Sequence, residues 1–374
     1  MRVAVVHEWL TSHAGSEKVV EQILQLYPEA DLFSLVDFLS PEQRHFIGHR
    51  SVQTSFLQKL PLAKRLFRQY LPLMPLAVEQ FDLSAYDLVI SSNHAVAKGV
   101  LVAPHQLHIS YVHTPIRYAW DLQHQYLQQA GLDRGPKGAL TRLILHYLRL
   151  WDTTSANRVD CFVANSNFVA KRIWRAYRRR ATVIYPPVDV NRFDWQRPRE
   201  RFYLTVSRFV PYKRVDLTVE AFNQLGLPLV VIGDGPDRAR IAAMAGPNIR
   251  LLGKQPDAVV TDHMQRCQGF IFPAEEDFGI TPVEAQAAGA PVIAFGRGGV
   301  SETVSHGVTG ILFAEQTVDS LVQAVKSFDM GMYELNRDTI RRQAEKFSID
   351  RFRSQFSDCV EQTYTGFLQG NPVE

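Results

Sequence analysis

Short apolar runs alternate with helix-type patterns along the whole chain. In the first half, runs typical of buried strands lie at residues 3–6, 32–36, 88–91, 108–112, 161–164 and 182–185. In the second half, they lie at residues 203–206, 229–232, 250–252, 270–272, 292–294 and 310–313. Because strands separated by helices form parallel sheets from βαβ units, the pattern predicts an α/β protein with two Rossmann-like sheets.

The alternation breaks at residues 186–198, where the sequence PPVDVNRFDWQRP is rich in Pro, Asp and Asn. Such a segment is typical of a domain boundary, and we place the two domains at 1–190 and 191–345. The remaining segment, 346–374, contains apolar side chains three or four residues apart, which predicts an amphipathic helix that packs on the domains. The stripe consists of Phe352, Phe356, Val360, Tyr364 and Phe367.

Composition supports this organisation. The chain has 374 residues, which is more than one ordinary core contains, and 46% hydrophobic with 21% charged residues is typical of a soluble globular protein. Its apolar runs are too short to cross a bilayer, and Met1 and Arg2 lead directly into the first predicted strand, so we expect no signal peptide. Three widely spaced cysteines argue against a disulfide framework or a metal site and favour a reducing cytosol.

The formal net charge is only +3, but the basic residues are clustered. Residues 59–68 mix lysines and arginines with large apolar side chains. These clusters are either solvated faces or a surface that docks on anionic lipid head groups. Nucleic acid is disfavoured because no base-reading motif accompanies the charge. The second cluster contains Arg172, Arg175, Arg178, Arg179 and Arg180.

An acidic, glycine-containing loop follows the predicted strand 270–272 and leads into a helix, as in the binding crevice of an open α/β sheet. Glu276 and Glu284 flank this turn. Glu284 lies three residues after Thr281, so it is either part of a capping box or an acceptor for two ribose hydroxyls. Glu276 has two acidic neighbours, and because adjacent carboxylates repel, at least one of the three should have a cationic or hydroxyl partner.

Two further loops of the second half follow predicted strands. Arg208 and Lys213 lie between strand 203–206 and a helix expected from about residue 216. Together they are suited to bind a diphosphate, and the alternative is a solvated basic loop. Gly233 begins a glycine turn after strand 229–232, which would let the backbone approach a nucleotide.

In the first half, Gly15 precedes a helix whose N-terminus could bind phosphate. Neither a G-x-G-x-x-G fingerprint nor a P-loop is present, which disfavours a dehydrogenase and a P-loop nucleotide site. His113 ends a predicted strand just before Pro115 and is either structural or ligand-binding. His94 ends another predicted strand and is the weaker candidate for a ligand-binding residue.

Together, these residues resemble the retaining GT-B glycosyltransferases of family 4. The family pattern is a Glu, a Phe-Gly pair and a second Glu, followed by A-x-G-x-P-V-I-A and Gly-Gly-x-x-Glu. Its counterparts here are Glu276, Phe278-Gly279, Glu284, residues 287–294, Gly298-Gly299 and Glu302. The first half is similar to the bacterial O-antigen subgroup that uses GDP-mannose. That similarity involves residues 70–75, 79–82, 91–99, 113–121 and 185–189, and the family's N-terminal loop corresponds to His7-Glu8-Trp9-Leu10 with Gly15 and Glu17.

The resemblance implies a GT-B fold in which two Rossmann-like domains face a central cleft, the N-terminal one binding the acceptor and the C-terminal one the nucleotide sugar. It implies a retaining, metal-independent transfer of a hexose, foremost mannose from GDP-mannose, to a saccharide or lipid-linked glycan, with no further cofactor. We expect a cytoplasmic enzyme, peripheral on the inner face of the plasma membrane if the basic surface docks there. The alternatives are a UDP-sugar donor, a sugar-nucleotide epimerase and a non-catalytic nucleotide-sugar-binding protein.

The resemblance also implies roles for particular residues. The catalytic group comprises His113 and Glu276, which would contact the transferred sugar, and Arg208 and Lys213, which would neutralise the leaving diphosphate. Glu284 would bind the ribose hydroxyls. The other donor-binding candidates are Gly15, Gly233, Phe278, Gly279 and Ile280, and the acceptor candidates are Arg117, Tyr118 and Trp120 together with residues 59–68.

Overall fold

The computed structural model describes residues 1–370 and divides the chain into two compact units. The first unit contains Met1–Pro186 and the chain from Phe352 onward, and the second contains Pro187–Arg351. The predicted C-terminal segment 346–374 therefore begins in the second unit, and its last four residues lie outside the described part.

Seven parallel strands form the sheet of the first unit, in the order β3-β2-β1-β4-β5-β6-β7. The strand order reverses between β1 and β4, which is the position where ligands bind in such sheets. The strands are β1 (Val3–Leu10), β2 (Asp31–Asp37), β3 (Val52–Thr54), β4 (Leu88–Asn93), β5 (Leu107–Val112), β6 (Cys161–Ala164) and β7 (Thr182–Val183). The helices between them are α1 (Gly15–Leu26), α2 (Ala63–Leu66), α3 (Met74–Val78), α4 (Gln123–Gln129), α5 (Gly135–Ser155) and α6 (Asn167–Tyr177).

Six parallel strands form the sheet of the second unit, in the order β10-β9-β8-β11-β12-β13, and here the order reverses between β8 and β11. The strands are β8 (Tyr203–Val206), β9 (Leu229–Ile232), β10 (Ile249–Gly253), β11 (Gly269–Phe272), β12 (Val292–Phe295) and β13 (Gly310–Phe313). The helices are α7 (Val215–Leu225), α8 (Arg238–Met244), α9 (Asp257–Arg266), α10 (Ile280–Ala287), α11 (Val300–Thr303), α12 (Val318–Asp329) and α13 (Arg337–Glu345). The last helix, α14 (Ile349–Leu368), begins in this unit and belongs to the first unit from Phe352 onward.

Both faces of the first sheet are buried, as β1 illustrates. Val3 and Val5 belong to one apolar cluster, whereas Ala4 and Val6 point to the opposite face and belong to another. Burial on both faces is characteristic of parallel sheets covered by helices, and it explains why the strands read as continuous apolar runs. The prediction of two Rossmann-like parallel sheets is confirmed.

Helix α14 packs its apolar stripe against the first unit. Phe352, Phe356 and Val360 are buried, and the rings of the two phenylalanines lie 5.9 and 6.3 Å from the ring of Tyr111 on β5. Tyr364 and Phe367 are partly buried against the same apolar cluster. The predicted amphipathic helix is therefore confirmed, and its apolar side stabilises the first sheet.

Two strands differ from the sequence-based expectation for physical reasons. β3 was not predicted, because this short strand is mostly exposed and has only one apolar residue, Val52. β1 continues four residues beyond the predicted end at Val6, through His7 and Glu8. These polar side chains are fully buried. A hydrophobic pattern therefore ends the strand too early, although the backbone pairing continues.

Helix α5 has an apolar stripe on its exposed side. Leu140, Leu143, Tyr147 and Leu150 are between 46% and 64% exposed, at the spacing of one helix face. Among the residues that the structure describes, no helix is both long and apolar enough to cross a membrane.

Candidate active site

Three loops of the second unit leave its sheet at the same edge. They follow β8, β9 and β11, which are parallel neighbours, so their carboxyl ends lie together. β8 and β11 are the strands between which the order reverses, and ligands of open α/β sheets bind at this point. The loops contain six of the predicted site residues, namely Arg208, Lys213, Gly233, Glu276, Phe278 and Gly279.

Lys213 and Glu276 connect the loops after β8 and β11. Lys213 Nζ is in direct contact with Glu276 Oε1, and the two side chains are only 16% and 20% exposed. Because the pair is largely shielded from water, the attraction between the charges is stronger than at an open surface. The expectation that one of the three adjacent carboxylates has a cationic partner is confirmed.

Arg208 is the second cation after β8. Its side chain is exposed, and within residues 1–370 it has no ion-pair partner, so its five N–H donors face solvent. The backbone of this loop is fixed by the next residue, because Phe209 donates its N–H to the carbonyl of Asp234 at 2.9 Å. The loops after β8 and β9 are thereby joined.

Gly233 allows that close approach. Its φ of 143° is rarely adopted by other residues, and a Cβ at this position would lie 1.8 Å from the carbonyl oxygen of Ser207. A Cβ on Gly235 would lie 2.3 Å from the carbonyl oxygen of Phe209. The glycine turn is therefore a steric requirement of the contact between the two loops.

The loop after β12 positions the backbone of Glu276 in a similar way. Gly299 donates its N–H to the carbonyl of Glu276 at 2.8 Å, and Gly298 forms an isolated bridge with the same residue. A Cβ on Gly298 would lie 2.3 Å from the Glu276 carbonyl oxygen. Only glycine permits this approach, which accounts physically for the Gly-Gly pair.

Glu284 does not belong to a capping box. The predicted cap at Thr281 is wrong, because α10 starts at Ile280 with Gly279 as its N-cap, at a φ of 87°. The left-handed glycine begins the helix earlier, so Glu284 lies too far along the helix to cap it. Its carboxylate is 8% exposed and accepts a hydrogen bond from Arg192 Nη2 at 2.8 Å.

The segment before Glu284 presents mainly backbone to a ligand. Phe278 is buried, and its ring packs 5.6 Å from that of Phe347. Gly279 and Ile280 form the start of α10, where helical N–H groups lack partners within the helix. Such N–H groups attract anions.

In the first unit, the end of β1 places a carboxylate among backbone donors. Glu8 is fully buried, and its Oε1 accepts the N–H groups of four successive residues at 2.8–3.1 Å. Its Oε2 lies 2.7 Å from Nδ1 of His94. Burial alone would raise the pKa of Glu8, but the charge and hydrogen bond of His94 and the N–H of Ala95 lower it well below the usual range. His94 responds in the opposite sense: burial lowers its pKa, but Glu8 outweighs burial and the net shift is upward.

His113 follows β5 and is linked to β1 through Ser92. Ser92 Oγ lies 2.8 Å from His113 Nε2 and 3.1 Å from Nδ1 of His7. Burial lowers the pKa of His113 to about 3, with further lowering by the charges of His94 and His7. The imidazole of His113 is therefore neutral at physiological pH.

Gly15 is the first residue of α1, and the neighbouring carboxylate of Glu17 fixes this helix start. Glu17 Oε2 accepts the N–H of Ala14 at 3.1 Å and the hydroxyl of Ser16 at 2.9 Å. Burial would raise the pKa of Glu17, but His7 and these donors lower it to about 2. The start of α1 thus contains a negative charge next to Gly15.

The predicted acceptor residues lie in the turn after His113. Arg117 and Tyr118 are partly exposed, and burial raises the pKa of Tyr118. Trp120 donates its indole N–H to Asp152 Oδ2 at 2.7 Å, and Asp152 forms a fully buried ion pair with Lys98. The polar atom of Trp120 is therefore used within the fold, and its ring packs against two apolar clusters of the first unit.

Comparison with protein families gives a consistent result for both halves. Residues 15–192 match the model of Glycosyltransferase Family 4, and residues 188–345 match the model of Glycosyl transferases group 1. The chain belongs to the family 4 glycosyltransferases.

Individual glycosyltransferases show the same relationship at lower coverage. O-antigen chain mannosyltransferase C of Escherichia coli is 29% identical over 239 residues, which cover 56% of this chain and 62% of that protein. The GDP-mannose-dependent alpha-(1-6)-phosphatidylinositol monomannoside mannosyltransferase of Mycobacterium tuberculosis is 30% identical over 195 residues, which cover 43% of this chain and 50% of that protein. The matches span between 50% and 62% of the lengths of these relatives.

Solved glycosyltransferase structures support the fold over nearly the whole chain. HepE of Anabaena in complex with UDP has a TM-score of 0.68 and 17% sequence identity, covering 97% of this chain and 100% of that one. At this identity, the likeness establishes the GT-B architecture of two Rossmann-like domains.

Several polar residues that lie beside the predicted site residues were not among the candidates from the sequence. Glu8, Ser92 and His7 lie inside β1 and β4, and Arg192 lies in the turn Val190–Arg192. Buried polar residues at the carboxyl end of a strand were the available signal for the first three. For Arg192, only the folded chain reveals the partner, because Glu284 is 92 positions away.

Proposed function

We propose that this chain is a retaining glycosyltransferase that transfers a hexose, foremost mannose from GDP-mannose, to a glycan acceptor. The contact between Lys213 and Glu276 is the main support for this proposal. It places a cation and a carboxylate together at the strand-order reversal of the second sheet, where a sugar diphosphate would need partners of both kinds. The resemblance to GDP-mannose enzymes and the mannosyltransferases among the relatives favour mannose.

In this proposal, the residues of the second unit bind the donor. Arg208 and Lys213 neutralise the diphosphate as it leaves, which is the electrostatic stabilisation that a metal ion supplies in other enzymes. Glu276 accepts hydrogen bonds from hydroxyls of the sugar, and Glu284 accepts them from the ribose. Lys213 then exchanges part of its contact with Glu276 for the phosphate.

The residues of the first unit would act on the sugar and the acceptor. His113 is neutral, so it contacts a sugar hydroxyl without adding positive charge near the oxocarbenium-like transition state. The leaving phosphate takes the acceptor proton on the same face of the sugar, and the configuration at the anomeric carbon is therefore retained. Arg117, Tyr118 and Trp120 contribute to the acceptor site.

The donor is tested by titrating the protein with GDP, UDP and ADP in a calorimeter. We expect measurable affinity for GDP alone, and Arg208→Ala should weaken it by about 10- to 100-fold because charge-assisted hydrogen bonds are lost. Binding of UDP alone would contradict the first choice of donor. Unchanged GDP affinity in Arg208→Ala would remove this arginine from the site.

The reaction is tested by incubating the enzyme with a panel of nucleotide sugars, with and without chelator. We expect hydrolysis or transfer from GDP-mannose that EDTA does not reduce, with the product formed in the donor's anomeric configuration by NMR. Loss of turnover with EDTA, or an inverted product, would contradict the metal-independent or the retaining part of the proposal respectively.

A UDP-sugar donor is the second candidate, and one observation favours it. HepE of Anabaena, whose fold is similar over 97% of this chain, binds UDP. The same titration and donor panel distinguish the two candidates, because a UDP-sugar enzyme would respond to UDP and not to GDP.

A lipid-linked acceptor would bring the first unit to an anionic membrane. The exposed leucines and tyrosine of α5 are accompanied on the same helix by Lys137 and Arg142, and residues 59–68 add the exposed Leu62 among lysines and arginines. Apolar side chains among basic ones are suited to anionic lipid head groups. Vesicles with 30% anionic lipid should carry the protein upward in a flotation gradient at low salt, whereas absence of flotation would contradict membrane contact.

A further inference from the structure

Ser92 joins the buried imidazole of His7 to the partly buried imidazole of His113 at the end of β4. Its Oγ lies 3.1 Å from His7 Nδ1 and 2.8 Å from His113 Nε2, and within residues 1–370 the hydroxyl has no other hydrogen-bond partner. A hydroxyl has one proton and two acceptor lone pairs. Because leaving a buried O–H without an acceptor costs about 1–3 kcal/mol, Ser92 donates to one ring and accepts from the other.

The surroundings of the other ring nitrogen of His7, Nε2, determine the direction of the hydrogen bonds of Ser92. His7 Nε2 lies 3.6 Å from Oε1 of Glu17, whose carboxylate is ionised because its pKa is lowered to about 2 despite burial. This distance is longer than a hydrogen bond, and Nε2 has no hydrogen-bond partner within residues 1–370. The nearby negative charge favours a proton on Nε2 over one on Nδ1, so a neutral His7 has its single proton on Nε2. Its Nδ1 then accepts the proton of Ser92, and Ser92 Oγ accepts the Nε2–H of His113. The free nitrogen of His113 in this state is Nδ1, an acceptor.

Uptake of one proton reverses the direction of both hydrogen bonds of Ser92. When a proton arrives at His113 Nδ1, His113 releases its Nε2 proton to Ser92, and Ser92 releases its own proton to His7 Nδ1. His7 then has two N–H groups, Ser92 donates to His113 Nε2, and His113 has its single proton on Nδ1. One proton enters and none is lost, so His113 stays neutral while its tautomer changes.

We propose that Ser92 is a positioning residue that couples the protonation of His7 to the tautomer of His113. The consequence for catalysis rests on the proposed function, in which His113 contacts the transferred sugar. With His7 neutral, His113 presents an acceptor to a sugar hydroxyl, and with His7 protonated it presents a donor.

Several charged groups surround the two rings. Glu8 pairs with His94 at 2.7 Å, Glu17 faces His7, and the positive charges of His94 and His7 both act on His113. Arg68 acts on His94 with the opposite sign to Glu8. The ring of Tyr111 lies 5.2 Å from that of His113. Its hydroxyl donates to the carbonyl of Ile184, so Tyr111 takes no part in the hydrogen bonds between His7, Ser92 and His113.

The test is NMR of the full-length protein labelled with 15N-histidine, in which protonated and unprotonated ring nitrogens have well-separated shifts. The two rings are assigned with His7→Gln and His113→Gln. In the wild type, we expect His113 to change from Nε2–H to Nδ1–H at the same pH at which His7 gains its second proton. In Ser92→Ala, the His113 change should disappear, and Ser92→Thr should restore it.

Ser110→Ala is the matched control, because Ser110 is a buried strand serine whose Oγ has no hydrogen-bond partner among residues 1–370. It should leave the tautomer change intact. If Ser92→Ala does not fold, His7→Gln serves in its place, and His113 should then have one tautomer at every pH. The proposal would be overturned if the His113 tautomer in the wild type does not change when His7 is protonated. It would also be overturned if the tautomer still changes with His7 in Ser92→Ala.

The NMR result does not depend on turnover, so it separates this inference from the proposed function. With an active enzyme, Ser92→Ala should also shift the pH profile of kcat for the donor found above while changing KM by less than about twofold. If the His113 tautomer follows the protonation of His7 but the protein has no transferase activity, the coupling through Ser92 stands and only the proposed function is contradicted.

Discussion

Arg192 Nη2 lies 2.8 Å from Glu284 Oε1, so the carboxylate proposed to bind the ribose already has a cationic partner in the same unit. Glu284 is 8% exposed and Arg192 is 25% exposed. A charge-assisted hydrogen bond in this shielded position fixes the direction of the carboxylate. A ribose would therefore meet a carboxylate whose direction is already fixed by Arg192.

Replacing Arg192 should destabilise the protein and weaken nucleotide binding together. Arg192→Gln removes the partner of a largely buried carboxylate, which should lower the free energy of unfolding by about 1–3 kcal/mol. Urea denaturation and calorimetric titration with GDP measure the two effects. The control is Arg197→Gln, since Arg197 pairs with Asp262 at 2.8 Å but is 42% exposed, and its loss should cost less than about 1 kcal/mol. Equal losses in both variants would show that the Glu284 contact has no special weight.

Glu276→Gln should separate sugar transfer from nucleotide binding. The amide keeps the shape of the side chain but loses the charge that contacts Lys213, so kcat should fall by about 10²- to 10³-fold while GDP affinity changes by less than about tenfold. Steady-state kinetics and GDP titration measure this difference. Glu275→Gln, one residue earlier in the same acidic loop, should keep kcat within about twofold. A large loss of GDP affinity in Glu276→Gln would assign this residue to the nucleotide instead of the sugar.

Gly233→Ala should be strongly destabilising, because the added Cβ would lie 1.8 Å from the carbonyl oxygen of Ser207 and the φ of 143° is unfavourable for alanine. We expect a loss of at least about 2–3 kcal/mol in the free energy of unfolding. Gly366 lies on helix α14, and a methyl group there would meet no atom of residues 1–370 within 4 Å other than its chain neighbours and the nearby helix backbone. Gly366→Ala should therefore be neutral or stabilised by up to about 1 kcal/mol. Thermal unfolding of the two variants compares them directly, and similar midpoints would refute the steric account of the glycine turn.

The sequence allowed most of the second unit to be predicted, because the relevant side chains follow apolar strands. Lys213 and Glu276 come after β8 and β11, and parallel strands bring such loops to one edge whatever their separation along the chain. The start of α10 could not be predicted correctly. The capping-box pattern places the cap at Thr281, but Gly279 in a left-handed conformation starts the helix earlier.

The polar network of the first unit was harder to predict for a different reason. Glu8 is stabilised by four N–H groups from residues 94–97, which are more than 80 positions away. A carboxylate in the middle of a strand looks unfavourable in the sequence, and only these distant donors compensate for its burial. For Ser92, the only local signal is its place near the carboxyl end of β4, and it is weak because a serine in a buried strand is common.

Acid should destabilise the protein between pH 6.5 and pH 4 in a way that depends on His108. Burial lowers the pKa of His108 to about 4, and the charges of Lys98 and Arg158 lower it further against the effect of the Arg158 carbonyl. His108 Nδ1 lies 2.8 Å from that carbonyl oxygen, so it donates there, and Nε2 accepts from the hydroxyl of Ser91 at 2.9 Å. The native state thus needs a neutral ring.

Because the unfolded state binds the proton more readily, the contribution of His108 is complete above the unfolded pKa of 6.5 and is lost as the pH falls toward 4. The loss should reach about 3 kcal/mol, and His108→Gln should remove that part of the pH dependence. Urea denaturation at pH 7, 6, 5 and 4.5 measures the slope, with His105→Gln as a control on an exposed histidine. His113 contributes a slope of the same sign, so His108→Gln should flatten the curve without abolishing its slope. If His108→Gln and the wild type lose stability in parallel, the buried ring of His108 is not the group that acid titrates.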